Sequence, residues 1–157
     1  MKKNHQEVLI HKLLLDGEAV PMNHPDMGQL KVSAYQAFEL QTKFNQTHNA
    51  EEARAVFSEL IGKKLPDTST VYPPFFTNYG KNTTIGENVF INHACSFLDL
   101  GGIEIEDNVM IGPRVSITSE NHPTDVETRK TLVPSKVVIK KNAWLGGGAN
   151  ILPGVTF

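Results

Sequence analysis

Two hydrophobic periodicities divide the chain into two parts. In the first, apolar residues follow helical spacing in three stretches, and the clearest is "NAEEARAVFSELIG". Asn49 is a candidate N-cap for that helix, Glu52 stands three residues later, and Gly62 follows its last turn. We predict that residues 1–63 form a helical region. Residues 64–84, which are rich in proline, are predicted to form a linker and the entry to the second pattern.

From residue 85 onward, large apolar residues recur every six positions, usually followed by small or polar residues. This period fits neither an α-helix nor an alternating strand. It fits a coil with three flat faces, each made of a short strand and a turn in which Gly and Asn adopt positive φ. The large residues then point inward, and each coil buries its apolar side on the next. The recurring positions are Ile85, Ile91, Phe97, Ile105, Ile111, Ile117, Ile139, Leu145, Ile151 and Phe157.

The repeat is interrupted most strongly between Ile117 and Ile139, where the step is 22 residues instead of six. A coil gains no burial from this surplus, so we predict a protruding loop over 118–138. Loops held by a rigid scaffold are where catalytic groups tend to lie, which makes His122 in "SENHPTD" a candidate. The same tripeptide, Asn-His-Pro, surrounds His24. Because His24 lies in a helix–helix connection, we interpret it as a solvated loop histidine.

Composition narrows the class of protein. Fifteen Lys and Arg against 17 Asp and Glu, without a basic patch, argue against a nucleic-acid partner. The sequence has no run of about 18 apolar residues, so no membrane span is predicted. One cysteine, Cys95, excludes an internal disulfide framework and favours a cytoplasmic location.

The chain resembles the hexapeptide-repeat acyltransferases, and most closely the maltose and galactoside O-acetyltransferase group. The resemblance rests on the N-terminal helices, on "NYGKNTTIGENVFIN" and on "KKNAWLGGGANILPGVTF". It implies a mostly β fold, a left-handed parallel β-helix over residues 85–157 after an N-terminal helical region. It also implies transfer of acetyl from acetyl-CoA to a hydroxyl of a sugar or glycoside, a homotrimer with sites between neighbouring subunits, and no metal.

The same resemblance assigns the general base. In this family the protruding arm carries a Gly-His-Pro or similar tripeptide whose histidine is the base, and here the match is Asn121-His122-Pro123. The chemistry suits an imidazole, because a ring with an ordinary pKa of about 6.5 can accept the proton of an attacking alcohol at neutral pH.

Four residues match acceptor-binding positions of the family. Asn92 stands 30 residues before His122, as the family's substrate-binding asparagine does, although from the repeat alone it reads equally as a turn residue. Asp99 resembles the family's acidic acceptor position or its neighbour. Asn78 precedes Tyr-Gly, and Phe90 replaces the tyrosine of galactoside acetyltransferases.

The donor site is predicted in "NAWLGGGAN". The family keeps a tryptophan like Trp144 next to the coenzyme A groove, and the bare backbone at Gly147 can hydrogen-bond a pantetheine arm. The repeat ends at Phe157, where a fourth coil would begin, so we expect a β-helix that is cut short at its C-terminal end.

Three alternatives stay open at this point. The acceptor could be serine or a xenobiotic hydroxyl compound. The chain could be a truncated, non-catalytic β-helix scaffold. A metal-dependent hydrase on the same fold needs about three converging histidines, and the repeat region offers only His93 and His122.

Overall fold

The computed structural model describes residues 9–157, so the part of the helical prediction that covers residues 1–8 lies outside it. The described part of the chain begins with three helices: α1 (Leu9–Leu15), α2 (Met27–Asn45) and α3 (Ala50–Ile61). Helix α3 begins and ends as predicted. The backbone N–H of Glu52 donates to Asn49 Oδ1 at 2.8 Å, and Gly62 ends the helix in the left-handed conformation. No helix among residues 9–157 is long and apolar enough to cross a membrane.

Short strands follow, and most of them belong to three parallel sheets. Sheet A contains β1 (Thr70–Val71), β4 (Phe90–Ile91), β7 (Met110–Ile111) and β12 (Trp144–Leu145). Sheet B contains β2 (Phe75–Thr77), β5 (Cys95–Leu98), β8 (Ser116–Thr118) and β13 (Asn150–Ile151). Sheet C contains β3 (Thr83–Ile85), β6 (Ile103–Ile105) and β11 (Val137–Ile139). Two further strands, β9 (Glu120–Asn121) and β10 (Val133–Pro134), form an antiparallel pair.

The chain visits sheets A, B and C in that order and returns to A, so three strands make one circuit. Successive circuits stack in register; for example, Ile91 pairs with Ile111, and Ile111 with Leu145. The first circuit begins at Thr70, inside the segment 64–84 that is predicted as the linker and entry to the repeat. In the fourth circuit, Thr156 bridges to Val138 of sheet C.

Nine of the ten predicted inward positions are buried. The tenth prediction is wrong: Phe157 is 53% exposed, because no described strand packs over the end of the fourth circuit. Positive φ values fall on the third residue after the buried one, as at Asn88, Asn108 and Asn142. Gly112 is needed for another reason, because a Cβ there would lie 2.6 Å from the backbone nitrogen of Gly147 in the circuit above.

Helices α2 and α3 close the open end of the first circuit. A series of tilted or edge-to-face rings runs from Phe44 through Phe57 and Phe75 to Phe97, with neighbouring centroids 5.0–5.2 Å apart. These rings continue the interior of the three sheets into the helical region. The helices and strands therefore share one hydrophobic core.

Helix α1 belongs to a second, smaller core at one edge of the strands. Ile10, Leu14 and Val20 are buried there together with Leu100, and Leu132 packs against them. Leu100 follows β5, and Leu132 directly precedes β10. The second core thus joins the N-terminal region to the part of the chain that interrupts the repeat.

His11 is the buried polar group of this second core. Its Nε2 lies 2.7 Å from Ser33 Oγ, which itself donates to the carbonyl of Gln29, so Nε2 carries the proton and donates to the serine. The buried Nδ1 atom has no hydrogen-bond partner among residues 9–157, and the ring stacks on Tyr79 at a centroid distance of 4.0 Å. Burial, with a smaller contribution from the charge of Lys81, lowers the pKa of His11 to about 4.

This neutral histidine predicts an acid-sensitive second core. Between pH 6.5 and 4 the unfolded chain binds a proton at residue 11 that the folded chain does not bind, so the free energy of unfolding falls as the pH falls. From pH 7 to pH 5 we expect His11 to account for a loss of about 2 kcal/mol. Urea unfolding of the wild type and of His11→Phe at both pH values measures it. The difference between the two proteins isolates residue 11, and equal pH dependence in both would contradict the assignment.

Candidate active site

The protruding loop leaves the fold between β8 and β11 and forms a two-stranded arm. Asn121 pairs with Val133 and Glu120 with Pro134. The base of the arm is tied down where the backbone N–H of Ser135 donates to the carbonyl of Ser119 at 2.7 Å. His122, the first residue beyond β9, is exposed at the surface of this arm.

The ring of His122 is held in one orientation. Its Nδ1 lies 3.0 Å from the backbone carbonyl oxygen of Thr131. Because a carbonyl only accepts, Nδ1 carries the proton, and the neutral ring keeps a lone pair on Nε2. The arrangement is that of a general base whose second nitrogen is oriented by a hydrogen bond.

The carbonyl that orients His122 is itself fixed from both sides. The N–H of Thr131 donates to the carbonyl of Thr128 at 2.9 Å. The next residue, Leu132, exchanges two backbone hydrogen bonds of 2.9 Å with Val20, in the connection between α1 and α2. Within the arm, Arg129 donates to the carbonyl of Thr124. The N-terminal region therefore supports the arm directly beside its histidine.

Asn78 lies on the turn after β2, at the corner from which the arm leaves. Its Nδ2 donates to Glu120 Oε1 at 2.6 Å, and its Oδ1 accepts from the backbone N–H of Asp99 at 3.1 Å. Glu120 Oε2 accepts in turn from the backbone N–H of Leu100 and from Ser119 Oγ. Burial raises the pKa of Glu120, as does the charge of Asp99, against the hydrogen bonds that this carboxylate accepts.

The prediction for Asp99 is not supported by its position. The residue is fully buried, and its carboxylate accepts from the backbone N–H groups of Gly80 and Asn82 and from the hydroxyl of Thr83, at 2.8–3.0 Å. Burial raises its pKa despite these bonds. All of its strong contacts face the turn after β2, so Asp99 braces this corner from inside. Glu120, which sequence reasoning missed, is the acidic group that reaches the surface there.

The remaining predicted residues lie at a different corner, between sheets A and B. Asn92 follows β4 and is half-buried; its Oδ1 accepts from the backbone N–H of His93, while its Nδ2 makes no hydrogen bond among residues 9–157. Phe90, on β4, packs edge-on against Tyr72 at 5.2 Å. Trp144 is 72% exposed, so it is not a packing residue in this chain, and an exposed glycine turn that includes Gly147 follows it.

One chain does not bring these two groups together. Asn92 precedes β5 and Asp99 follows it, and the four residues of this strand span about 13 Å. The acceptor candidates Asn78 and Asn92 therefore lie on opposite edges of sheet B, and His122 lies on the edge of Asn78. No group of three His, Cys, Asp or Glu side chains in the described part of the chain is arranged to bind a metal ion.

Comparisons with known proteins agree with this architecture. The chain matches no protein-family model. It is 33% identical over 137 residues to a galactoside O-acetyltransferase of Lactococcus lactis, covering 83% of this chain and 65% of that protein. It superimposes with a TM-score of 0.85, at 33% identity, on a crystal structure of a maltose O-acetyltransferase from Clostridium difficile, over 94% of this chain and 79% of the other.

A third similar protein carries the donor. This is a hexapeptide-repeat-containing acetyltransferase from Vibrio cholerae, solved in complex with acetyl coenzyme A, with a TM-score of 0.81 and 33% identity over 92% of this chain and 78% of the other. The chain spans 47% to 73% of the length of the first curated relatives that it matches.

The position of Asp99 makes a stability prediction. Replacing Asp99 with Ala leaves two backbone N–H groups and one hydroxyl buried without an acceptor, which we expect to lower the free energy of unfolding by about 3–5 kcal/mol. The exposed Asp67, which pairs with Lys64, is the control, and Asp67→Ala should leave the free energy of unfolding close to that of the wild type. Urea unfolding measures both. If the two variants were equally stable, Asp99 would have no bracing role.

Proposed function

This chain belongs to the hexapeptide-repeat acetyltransferases, in the group of the galactoside and maltose O-acetyltransferases, and we propose that it acetylates a hydroxyl of a sugar or glycoside with His122 as the general base. It is by membership an acyltransferase whose donor is acetyl-CoA. The observation that carries the proposal is the hydrogen bond from His122 Nδ1 to the carbonyl of Thr131, which leaves Nε2 as the basic atom on an exposed arm.

The arm histidine removes the proton that makes the acceptor a poor nucleophile. As the acceptor oxygen bonds to the thioester carbonyl carbon, Nε2 of His122 takes the hydroxyl proton and the ring becomes cationic. The Thr131 carbonyl then accepts a stronger, charge-assisted hydrogen bond from Nδ1. When the carbon–sulfur bond breaks, His122 returns the proton to the coenzyme A thiolate, and the ring is neutral again.

The corner between sheets A and B fits the donor. Trp144 presents an exposed ring, and the exposed turn with Gly147 leaves peptide groups open to a pantetheine arm. Asn92 offers an unbonded amide N–H on the same corner, where it could hold the acceptor or the developing oxyanion. Phe90 adds an apolar surface beside it.

Because these groups and His122 lie on opposite edges of sheet B, a complete site needs two chains. We propose a homotrimer of left-handed β-helices in which the arm corner of one subunit faces the corner of Asn92 in its neighbour. Cyclic packing of this kind repeats one heterologous interface three times. The free thiol of Cys95 supports a cytoplasmic location. An acceptor other than a sugar, such as serine or a xenobiotic alcohol, is the second candidate.

The role of His122 predicts a loss of turnover without a loss of fold. We expect His122→Ala to lower kcat for sugar-dependent thiol release from acetyl-CoA by about 10²–10⁴-fold, because the proton then has no acceptor. The melting temperature should be unchanged, since the side chain is exposed. His48→Ala, an exposed histidine between α2 and α3, is the matched control and should keep full activity. Equal turnover in the two variants would refute the assignment.

The shared site predicts complementation between two inactive proteins. Asn92→Ala and His122→Ala are each expected to lose most activity as homotrimers. In a mixed trimer one interface combines the intact Asn92 of one subunit with the intact His122 of another, which restores up to about a third of wild-type activity. The control mixes His122→Ala with the double variant, which contains no intact interface. If the first mixture were no more active than the second, the site would lie within one chain.

A further inference from the structure

Glu120 is a surface-reaching carboxylate that the reaction described above does not use. It stands two residues before His122, at the first position of β9, where the arm leaves the fold. It is half-buried, and its three hydrogen bonds leave one lone pair of Oε1 without a donor in the described part of the chain. Asp99 differs because it is fully buried and has no atom at the surface that a ligand could reach.

The amide of Asn78 is fixed by its neighbours in one orientation. Its Oδ1 accepts from the backbone of Asp99, so Nδ2 must face Glu120, and one of its two N–H bonds is used there. The second N–H of Asn78 makes no bond among residues 9–157. An unused donor on Asn78 and an unused acceptor on Glu120 therefore lie side by side, since Nδ2 and Oε1 are 2.6 Å apart.

We propose that this pair selects the acceptor by binding two adjacent hydroxyls of a sugar ring, one donating to Glu120 and the other accepting from Asn78. The inference rests on the proposed function and names Glu120, in place of Asp99, as the acidic residue that contacts the acceptor. A hydroxyl that donates to the carboxylate makes a charge-assisted hydrogen bond, the stronger kind. Burial raises the pKa of Glu120 even with its present hydrogen bonds. A further hydrogen-bond donor, such as a sugar hydroxyl, would therefore stabilise the carboxylate.

A charge-conserving exchange separates recognition from bracing. The double variant combines Asn78→Asp with Glu120→Gln. Its new carboxylate at position 78 still accepts from the backbone of Asp99, and its new amide at position 120 donates to that carboxylate and accepts from Leu100 and Ser119. The hydrogen bonds to the backbone of Asp99, to Leu100 and to Ser119 are kept, as is the net charge, but the unused donor and the unused acceptor change places. Glu120→Gln alone instead sets two N–H donors against each other at the Asn78 contact, so it loses both stability and recognition.

The experiment measures binding, so that it does not depend on turnover. Dissociation constants for methyl glucoside, methyl galactoside and their monofluoro analogues are measured by NMR titration with the full chain. A fluorine cannot donate a hydrogen bond. We expect the wild type to lose about tenfold to a hundredfold in affinity for the analogue fluorinated at one hydroxyl. The exchanged variant should have the wild-type melting temperature, unlike Glu120→Gln alone. Its affinity should fall instead for the analogue fluorinated at the neighbouring hydroxyl.

Each outcome decides the proposal. A fluorine penalty at the same position in both proteins, or the same affinity of Glu120→Gln and wild type for every sugar, would overturn it. Failure of all the glycosides to bind the wild type would also overturn it. His122→Ala should bind the sugars as the wild type does while turnover is lost, so a fault in the catalytic assignment is seen separately from a fault in the recognition pair.

Discussion

The whole architecture depends on the pairing of very short parallel strands. Each strand has only two to four residues, so a single strand pair contains few hydrogen bonds. The backbone N–H and C=O groups of a strand are satisfied by the strands of the circuits on either side. The register must therefore be kept from one circuit to the next, as it is where Ile91, Ile111 and Leu145 stack. Any residues in excess of the register are forced out at a corner, and the arm of His122 is the largest such excess.

This constraint explains which parts of the molecule the sequence predicts well. Nine recurring apolar positions are buried because the six-residue period directly records the inward side of each face. The cap at Asn49 and the stop at Gly62 are local hydrogen-bonding features, and they form as expected. The exposed arm around His122 follows from the same counting. The repeat begins before Ile85, at Thr70, and the period does not reveal this because Val71 and Thr77 occupy positions that later circuits fill with Ile or Phe.

The side chains at the corners were harder to predict, because the repeat does not specify where they point. Asp99 and Glu120 are both acidic residues beside an interruption, and only the fold shows that one is enclosed by Gly80, Asn82 and Thr83 while the other reaches the surface. The sequence did contain one indication of Glu120, because this residue stands only two positions before the candidate base His122. The separation of Asn92 from His122 was also available, since Asn92 follows a strand of sheet A and the arm follows a strand of sheet B.

The N-terminal region does more than cover the first circuit, because it also supports the arm that carries His122. An arm of two short strands cannot hold a histidine ring still by itself, because a two-stranded ribbon is only marginally stable in water. The two backbone hydrogen bonds between Val20 and Leu132 add a third segment next to Thr131, and Leu14 and Leu100 bury the junction. The orientation of His122 thus depends on residues more than 100 positions earlier in the chain. A histidine on a bare loop would share the sequence motif but lack this support.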